Sequence, residues 1–462
     1  WRSDNTGPPD ASSVRSNFAV LRSAFPNAQI EASSFNQFYE LVNQTAVRDK
    51  LPVVDDEFGD SWLDGASSDP RKLALFRLFM RARRRSKASE EPGWDEFSRL
   101  LVKLSEHTWG GLKNLWTGWY ETRGWSNDDF NAARPSELFR REEDSWQEQR
   151  HYLDAALEAL GSASALGRAI RADIAELDRA ADMRIDPAQG MRSVQPGERV
   201  VLRPESGGGG FSLRMDRTGA VVELRACPEA TAGCAATGHS WASEQSPIAR
   251  FVYRTRSPAE AAAFYENYTF VHASWAPQVF TKIGLDPSLA NASTSFATLQ
   301  SLHANSSSLV AILRLPEFAT EMYGAPRALR LVIALPSMQE GLQFTLTVVK
   351  KTTTRLPEEA WLEFRPVLPA SSSGWGIALD KLGSEVDPSH IVTNGSRTLH
   401  GVGDGGVLFR DGSHRAPDLR LTSLDAGLVS PGPAANMDLY SFPGYLPRAT
   451  DGVAWSLWNN LW

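Results

Sequence analysis

The chain has 462 residues, 42% of them hydrophobic and 22% charged, with a formal net charge of −7. That length exceeds one ordinary core and predicts two or three domains, and the mild acidity argues against a nucleic-acid polyanion as the main partner. No apolar run reaches the length of a transmembrane helix, and the opening Trp1-Arg-Ser-Asp shows neither a signal peptide nor an initiator Met, so the sequence reads as a processed or incomplete polypeptide.

Taken in order, Phe35 to Leu41 predicts a short helix and Leu51-Pro-Val-Val54 a compact apolar strand, followed by the acidic run Asp55-Asp56-Glu57. Carboxylates just past the C-terminal end of a strand stand where α/β folds gather their sites. A solvated acidic turn gives the same pattern. Asp69-Pro70 is a helix start with proline at the first position, and Leu73, Phe76 and Met80 mark one face. The basic run Arg81-Ala-Arg-Arg-Arg85 ends that helix, where it complements the dipole. A second amphipathic helix begins near Pro92, with Trp94, Phe97, Leu101 and Leu104 as its stripe. A third pattern runs from about Asp144 to Leu177, and Gly161 is placed to break it. Three apolar-striped helices predict a three-helix bundle over residues 61–181.

Beyond Ala181 the 3.6-residue period gives way to strand-like runs at Arg199–Leu202, Phe211–Met215, Val221–Leu224, Ile248–Tyr253, Leu329–Leu335, Leu342–Val349 and Trp361–Phe364. Asp216-Arg-Thr-Gly219 is a hairpin turn signal between two of them. Residues 182–462 are therefore expected to form a large β-sandwich region. The fold class is multidomain α+β. Cys227 and Cys234 are close enough in sequence to close a local disulfide loop, a better fit than a metal site lacking further ligands. Asn43, Asn267, Asn291, Asn305 and Asn394 lie in N-glycosylation sequons, which together with the cysteine pair tilt the compartment towards the secretory pathway, secreted or lumenal.

Seven segments in a fixed order carry a family resemblance: Glu57-Phe-Gly-Asp-Ser-Trp-Leu-Asp-Gly-Ala-Ser-Ser-Asp-Pro70, Glu106-His-Thr-Trp-Gly110, Ser145-Trp-Gln-Glu-Gln-Arg-His-Tyr-Leu153, Thr354-Arg-Leu-Pro-Glu-Glu-Ala-Trp361, Asp380-Lys-Leu-Gly383, Asn394-Gly-Ser-Arg-Thr-Leu-His400 and Trp458-Asn-Asn-Leu-Trp462. From about residue 50 onward the chain resembles an uncharacterised branch of the glycoside hydrolase family 38-like, α-mannosidase-related proteins. The resemblance implies that residues 1–60 are the end of an α/β barrel, followed by the helical bundle and then the β-sandwich domains. It implies a retaining hydrolase of α-mannosides or a similar glycan with one zinc ion, bound by an early His-x-Asp pair, a later Asp that is also the nucleophile, and a bundle histidine. Carried over by motif, that histidine is His107. Leu104 three residues earlier sets His107 on the inward stripe; an interior histidine packed against Trp109 would occupy the same place. The candidate carboxylates are Asp55, Asp56, Glu57 and Asp60.

No His-x-Asp pair precedes His107, so the resemblance implies that the nucleophile and the remaining ligands lie outside this sequence, in an N-terminal fragment of the same precursor. Asp64 departs from relatives that often carry histidine there; it lines the pocket or caps the next helix. Arg355 and Glu358 are expected to form a structural ion pair or to anchor a sandwich corner, and Trp62, Trp109 and Trp375 could stack on sugars, although core packing is the default among 15 tryptophans. A non-catalytic secreted scaffold or glycan-binding module with the same fold is the competing function.

Overall fold

The computed structural model describes residues 8–44, 48–58, 63–87, 91–105, 123–181, 190–227, 238–268, 277, 281–371, 373–392, 395, 398–414, 417–432 and 446–461. The chain divides into two compact units, Trp1–Asp55 and Asp56–Trp462. In the first, α1 (Ala11–Ala24) is capped by Asp10, whose carboxylate accepts from the Ser13 N–H at 2.7 Å. Helix α2 (Phe35–Asn43) opens on a capping box between Ser34 and Gln37, so the predicted helix is present and two residues longer. Leu51–Val54 is not a strand. It has no ladder partner among the described residues, and its side chains are exposed; an apolar run makes a strand only where neighbouring backbone pairs with it.

The second unit is α+β. Its first helix, α3 (Pro70–Arg85), starts where Asp69-Pro70 predicts, with Asp69 Oδ1 accepting the Lys72 N–H at 3.1 Å. Helix α4 (Trp94–Leu104) follows, then α5 (Asn127–Ala133), α6 (Glu137–Ala159) and α7 (Ala165–Ala181). The long pattern expected from Asp144 begins earlier, at Glu137, and is parted into two helices at Gly161, whose φ is +73°, where the sequence placed the break. Phe79, Phe97, Leu101, Leu104, Leu153, Ala156 and Ile170 form a shared apolar core for α3, α4, α6 and α7. Fully burying a side chain the size of Leu104 contributes about 1.5–3 kcal/mol, far more than helix propensity does.

Among the described residues the strands make three antiparallel sheets, none closed. One runs β1 (Arg192–Ser193), β7 (Thr298–Ala304), β8 (Ser308–Arg314), β9 (Ala328–Ala334), β10 (Gln343–Val349). The largest runs β14 (His400–Gly401), β17 (Leu428–Pro431), β18 (Val453–Asn459), β11 (Glu358–Phe364), β5 (Ile248–Thr255), β4 (Val221–Cys227), β3 (Gly210–Met215), β2 (Val200–Leu202), with β6 (Ser293–Phe296) on β5. The third runs β13 (Ser384–Val386), β12 (Trp375–Lys381), β15 (Val407–Asp411), β16 (Leu419–Leu421). One apolar cluster takes Leu309 and Leu331 from the first sheet, Leu213 and Phe251 from the second, and Leu379 and Phe409 from the third. Each predicted strand after Ala181 is present. Among the described residues, helices α8 (Pro258–Tyr268) and α9 (Glu317–Tyr323) lie between the strands, which the loss of helical period did not foretell. The Asp216–Gly219 turn joins β3 to β4, with Gly219 at φ +76°, and a Cβ there would overlap Leu313.

Helix α3 is tied to the C-terminal strands by its arginines. Arg77 donates from Nη1 to the Val402 carbonyl at 2.9 Å, from Nη2 to the Ser423 carbonyl at 2.8 Å and from Nε to the Leu424 carbonyl at 3.2 Å. Arg77 and Arg84 both pair with Asp404. The basic run therefore docks the helix as well as ending it. Of its members, Arg83 lies over the Trp94 ring at 4.6 Å.

Candidate functional site

Three polar clusters join segments far apart in the sequence. The first starts from the acidic run. Glu57 makes an isolated parallel bridge with Ile391: its N–H donates to the His390 carbonyl at 3.1 Å, and its carbonyl accepts from Val392 at 2.9 Å. Its carboxylate then takes the Lys381 ammonium at 2.8 Å. The charge of Glu57 is thus spent on the Asp380-Lys-Leu-Gly383 segment. Asp55 and Asp56 are exposed. Asp60, Trp62, His107 and Trp109 lie outside the described residues, as does the side chain of Asp64.

The second cluster joins the start of α3 to α6. Asp69 spends one carboxylate oxygen on the cap and gives the other to Arg150 Nε at 2.6 Å. Lys72, one turn into α3, is only 3% exposed. Burial pulls its ammonium down to about 8, with Asp69 opposing that and Arg150 adding to it. On the same α6, Glu142 is buried and its carboxyl is pushed up by that burial. Sequence reasoning missed both groups. The signal for Lys72 was available, since a lysine three residues past an N-cap aspartate on a half-apolar helix invites burial; Glu142 sits in a polar run that reads as solvent-facing.

Lys72 gives a pH prediction. Its folded value lies below the ordinary lysine value of 10.5, so from about 8 upward the unfolded chain holds more protons than the folded one. Stability therefore rises with pH across that window, by at most about 3 kcal/mol. Urea melts from pH 7.5 to 10.5 should show this rise in the wild type and a flatter profile in Lys72→Met. Superimposable profiles would refute the assignment.

The third cluster lies on β11, which is buried along its whole length yet carries three glutamates. Each glutamate meets cationic or hydroxyl partners. Glu363 pairs with Arg250, directly opposite on β5. Glu359 accepts from Arg256 Nε at 2.7 Å and from the Trp361 indole N–H at 3.1 Å. Glu358 accepts from Lys351 Nζ at 2.7 Å and from the Tyr253 hydroxyl. Burial pushes the Glu358 carboxyl up, against the pull of Lys351 and the Tyr253 hydroxyl. The Glu358 N–H donates to Asn460 Oδ1 at 2.6 Å, and Asn460 Nδ2 donates back to the carbonyls of Thr354 and Leu356 at 2.9 and 2.7 Å. The Thr354–Trp361 and Trp458–Trp462 segments thus hold one another.

Arg355 does not take the expected place beside Glu358. Its guanidinium covers the Trp125 ring at 4.2 Å and donates to the Arg123 carbonyl at 2.7 Å, because Lys351 and Tyr253 already fill the glutamate. Thr354 Oγ1 donates to Asn127 Oδ1 at 2.7 Å. Beside this joint is an open recess of about 300 Å³ lined by Arg123, Trp125, Asp129 and Leu289 with two glycines. Trp375 is a packing residue, its indole N–H donating to the Pro369 carbonyl at 2.7 Å.

Among the described residues no three His, Cys, Asp or Glu side chains gather into a group able to hold a metal ion. Those residues do not compose the expected zinc centre, and its named ligand, His107, is not one of them. Cys227 ends β4 and is buried; Cys234 lies outside the described residues. No described helix is long and apolar enough to cross a membrane. Residues 66–343, more than half the chain, match the family described as a domain of unknown function, DUF5054. No curated protein matches the chain.

Proposed function

The chain belongs to the DUF5054 family, whose description carries no activity, and from that premise we propose that it is part of a zinc-dependent retaining glycoside hydrolase acting on α-mannosides or a similar glycan. On this reading residues 1–60 are the remnant of an α/β catalytic domain, although Leu51–Val54 is not a strand in it, 61–181 form a helical bundle in which four helices share the core, and 182–462 form β-sandwich domains. His107 is the bundle ligand, and Asp56, Glu57 and Asp60 are the carboxylates nearest the sugar. The observation that carries the proposal is the convergence of the resembling segments. Glu57 reaches Lys381, Asp69 reaches Arg150, and Thr354–Glu358 is clamped by Asn460. With Ser68 Oγ donating to Asn459 Oδ1 at 3.4 Å, these contacts tie five of the resembling segments into one frame, which supports reading them as one family pattern. A retaining mechanism needs two carboxyl groups about 5–5.5 Å apart, one attacking the anomeric carbon and one protonating the leaving oxygen. Zinc, when bound, supplies charge stabilisation at the sugar hydroxyls.

The test is zinc content measured alongside aryl α-mannoside turnover. In the complete protein His107→Ala should lose zinc and lower turnover by more than the roughly 10–100-fold typical of outer-shell changes. Full zinc occupancy with unchanged turnover would remove His107 from the site. A second reading, a non-catalytic scaffold or glycan-binding module, is favoured by one observation: Glu57, Asp69 and Glu358 are each neutralised by a cation within the frame. Wild-type protein with neither zinc nor turnover would establish that reading over the first. Both readings place the protein in the secretory pathway, with Cys227 joined to Cys234.

A further inference from the structure

The sequons differ in what the fold does with them, and the difference singles one out. Asn305 stands at the tip of the β7–β8 hairpin, immediately beyond the last ladder pair, Ala304 with Leu309. Both members of that pair are buried, whereas Asn305 and Ser306 are exposed. The carboxamide oxygen of Asn305 is turned into the loop. It accepts from the N–H of Ser307 at 3.0 Å, from the N–H of Ser308 at 2.8 Å and from the Ser308 hydroxyl at 3.0 Å. The tip is held from both sides, since the Ser306 carbonyl accepts from Arg203 at 2.7 Å and the Ser307 carbonyl from Leu335 at 2.9 Å. With Oδ1 spent on the turn, the planar amide carries Nδ2 on its other edge, free of the contacts that Oδ1 makes.

The other sequons are less well placed. Asn267 is inside helix α8, where the backbone cannot form such a turn without unwinding. Asn291 is exposed, but its N–H donates to the Tyr323 hydroxyl at 3.0 Å and its carbonyl accepts from Thr255. The hydroxyl of its sequon, on Ser293, is already bonded to Thr255 Oγ1 at 2.8 Å. Asn43 ends α2 with its amide oxygen taken by Arg48 at 3.3 Å. Asn394 lies outside the described residues.

We propose that Asn305 is the preferred N-glycan attachment site of this protein, modified by transfer of an oligosaccharide from a lipid-linked diphosphate donor. The inference rests on the secretory reading above. In the transfer, Nδ2 gives up a proton to a base of the transferase and forms a bond to the sugar's anomeric carbon. The bond from that carbon to the diphosphate oxygen breaks, and the lipid diphosphate leaves. The hydrogen bonds from Ser307 and Ser308 to Asn305 are local, so the turn can form early in folding, before Arg203 and Leu335 dock on it.

The full chain produced through the secretory route of a eukaryotic host tests this. Peptide N-glycanase treatment in heavy-oxygen water, followed by peptide mass spectrometry, reads each sequon separately. Asn305 should be occupied in most molecules and several-fold more than Asn291. Asn305→Gln and Ser307→Ala should each remove that glycan, and Ser307→Thr should keep it. Asn305 bare while Asn43, Asn267 or Asn291 is occupied overturns the inference and leaves the secretory reading standing. Secreted protein with every sequon bare also overturns it. Fractionation of the native source tests the secretory reading by itself, because the host experiment supplies the route whatever the native compartment.

Discussion

Replacing Glu358 by alanine is expected to destabilise the fold by about 1–3 kcal/mol, the range for leaving a buried hydrogen-bonding group unsatisfied. The carboxylate is 3% exposed and holds both Lys351 and the fully buried Tyr253. Its loss strands the Tyr253 phenol away from water, while the Lys351 ammonium, partly exposed, keeps the Thr352 carbonyl and solvent. Glu358→Gln keeps an acceptor for the Tyr253 hydroxyl and should cost markedly less. The pair also sets a pH slope. Burial raises the folded value of Glu358 above the ordinary 4.5, so above that point the folded chain holds the proton longer than the unfolded one. The stability this contributes is complete below pH 4.5 and is lost as pH rises through the folded value. Urea melts of the wild type and Glu358→Gln over pH 4 to 8 should show a steeper fall with pH in the wild type than in the variant. An alanine variant as stable as the wild type would show that the cluster adds nothing to the sheet.

Arg77→Ala should release the C-terminal strands from helix α3. The guanidinium donates to three carbonyls, at Val402, Ser423 and Leu424, and also faces Asp404. Hydrogen bonds to a charged donor contribute about 1.5–3 kcal/mol each at best, and they share one side chain, so a total loss of about 3–4 kcal/mol is expected. Lysine cannot substitute, because a single ammonium has no planar fork with which to span three carbonyls. Hydrogen exchange locates the effect: the amides of residues 402–428 should lose protection while those of α4 and α6, which pack through Phe97, Leu101 and Leu153, keep theirs. Unaltered exchange in 402–428 would mean that Arg81, Arg84 and the apolar face of α3 hold that segment without Arg77.

Much of the secondary structure was legible because its causes are local. Asp69-Pro70 announces α3, Gly161 parts α6 from α7, and Asp216–Gly219 turns β3 into β4, each through residues within a few positions of the event. Strands such as β5 and β9 announce themselves by branched and apolar residues. Others do not. β7 alternates polar and apolar side chains with only two buried, β12 is bounded by glycine-rich turns, and α8 and α9 are short helices inside a β-rich stretch. Leu51–Val54 shows the converse error, an apolar run without a partner to pair with.

What the sequence by itself determined is the α+β composition, the starts of α2, α3 and α4 and the break at Gly161, most strands of the large sheet, and the segments that carry the family resemblance. It also marked Asn305 as an acceptor among equals. The tertiary structure decided which charges meet: Glu57 with Lys381, Asp69 with Arg150, Glu358 with Lys351 and Tyr253, and Arg355 with Trp125 rather than with Glu358. It also decided that Lys72 is buried and that one sequon alone among those described sits on a hairpin tip. The physical reason is range. Caps, turns and hydrophobic periods act through neighbours a few residues away, whereas a buried charge is stabilised by whichever opposite charge the packed sheets and helices bring within hydrogen-bonding distance, and nothing in the local sequence names that partner.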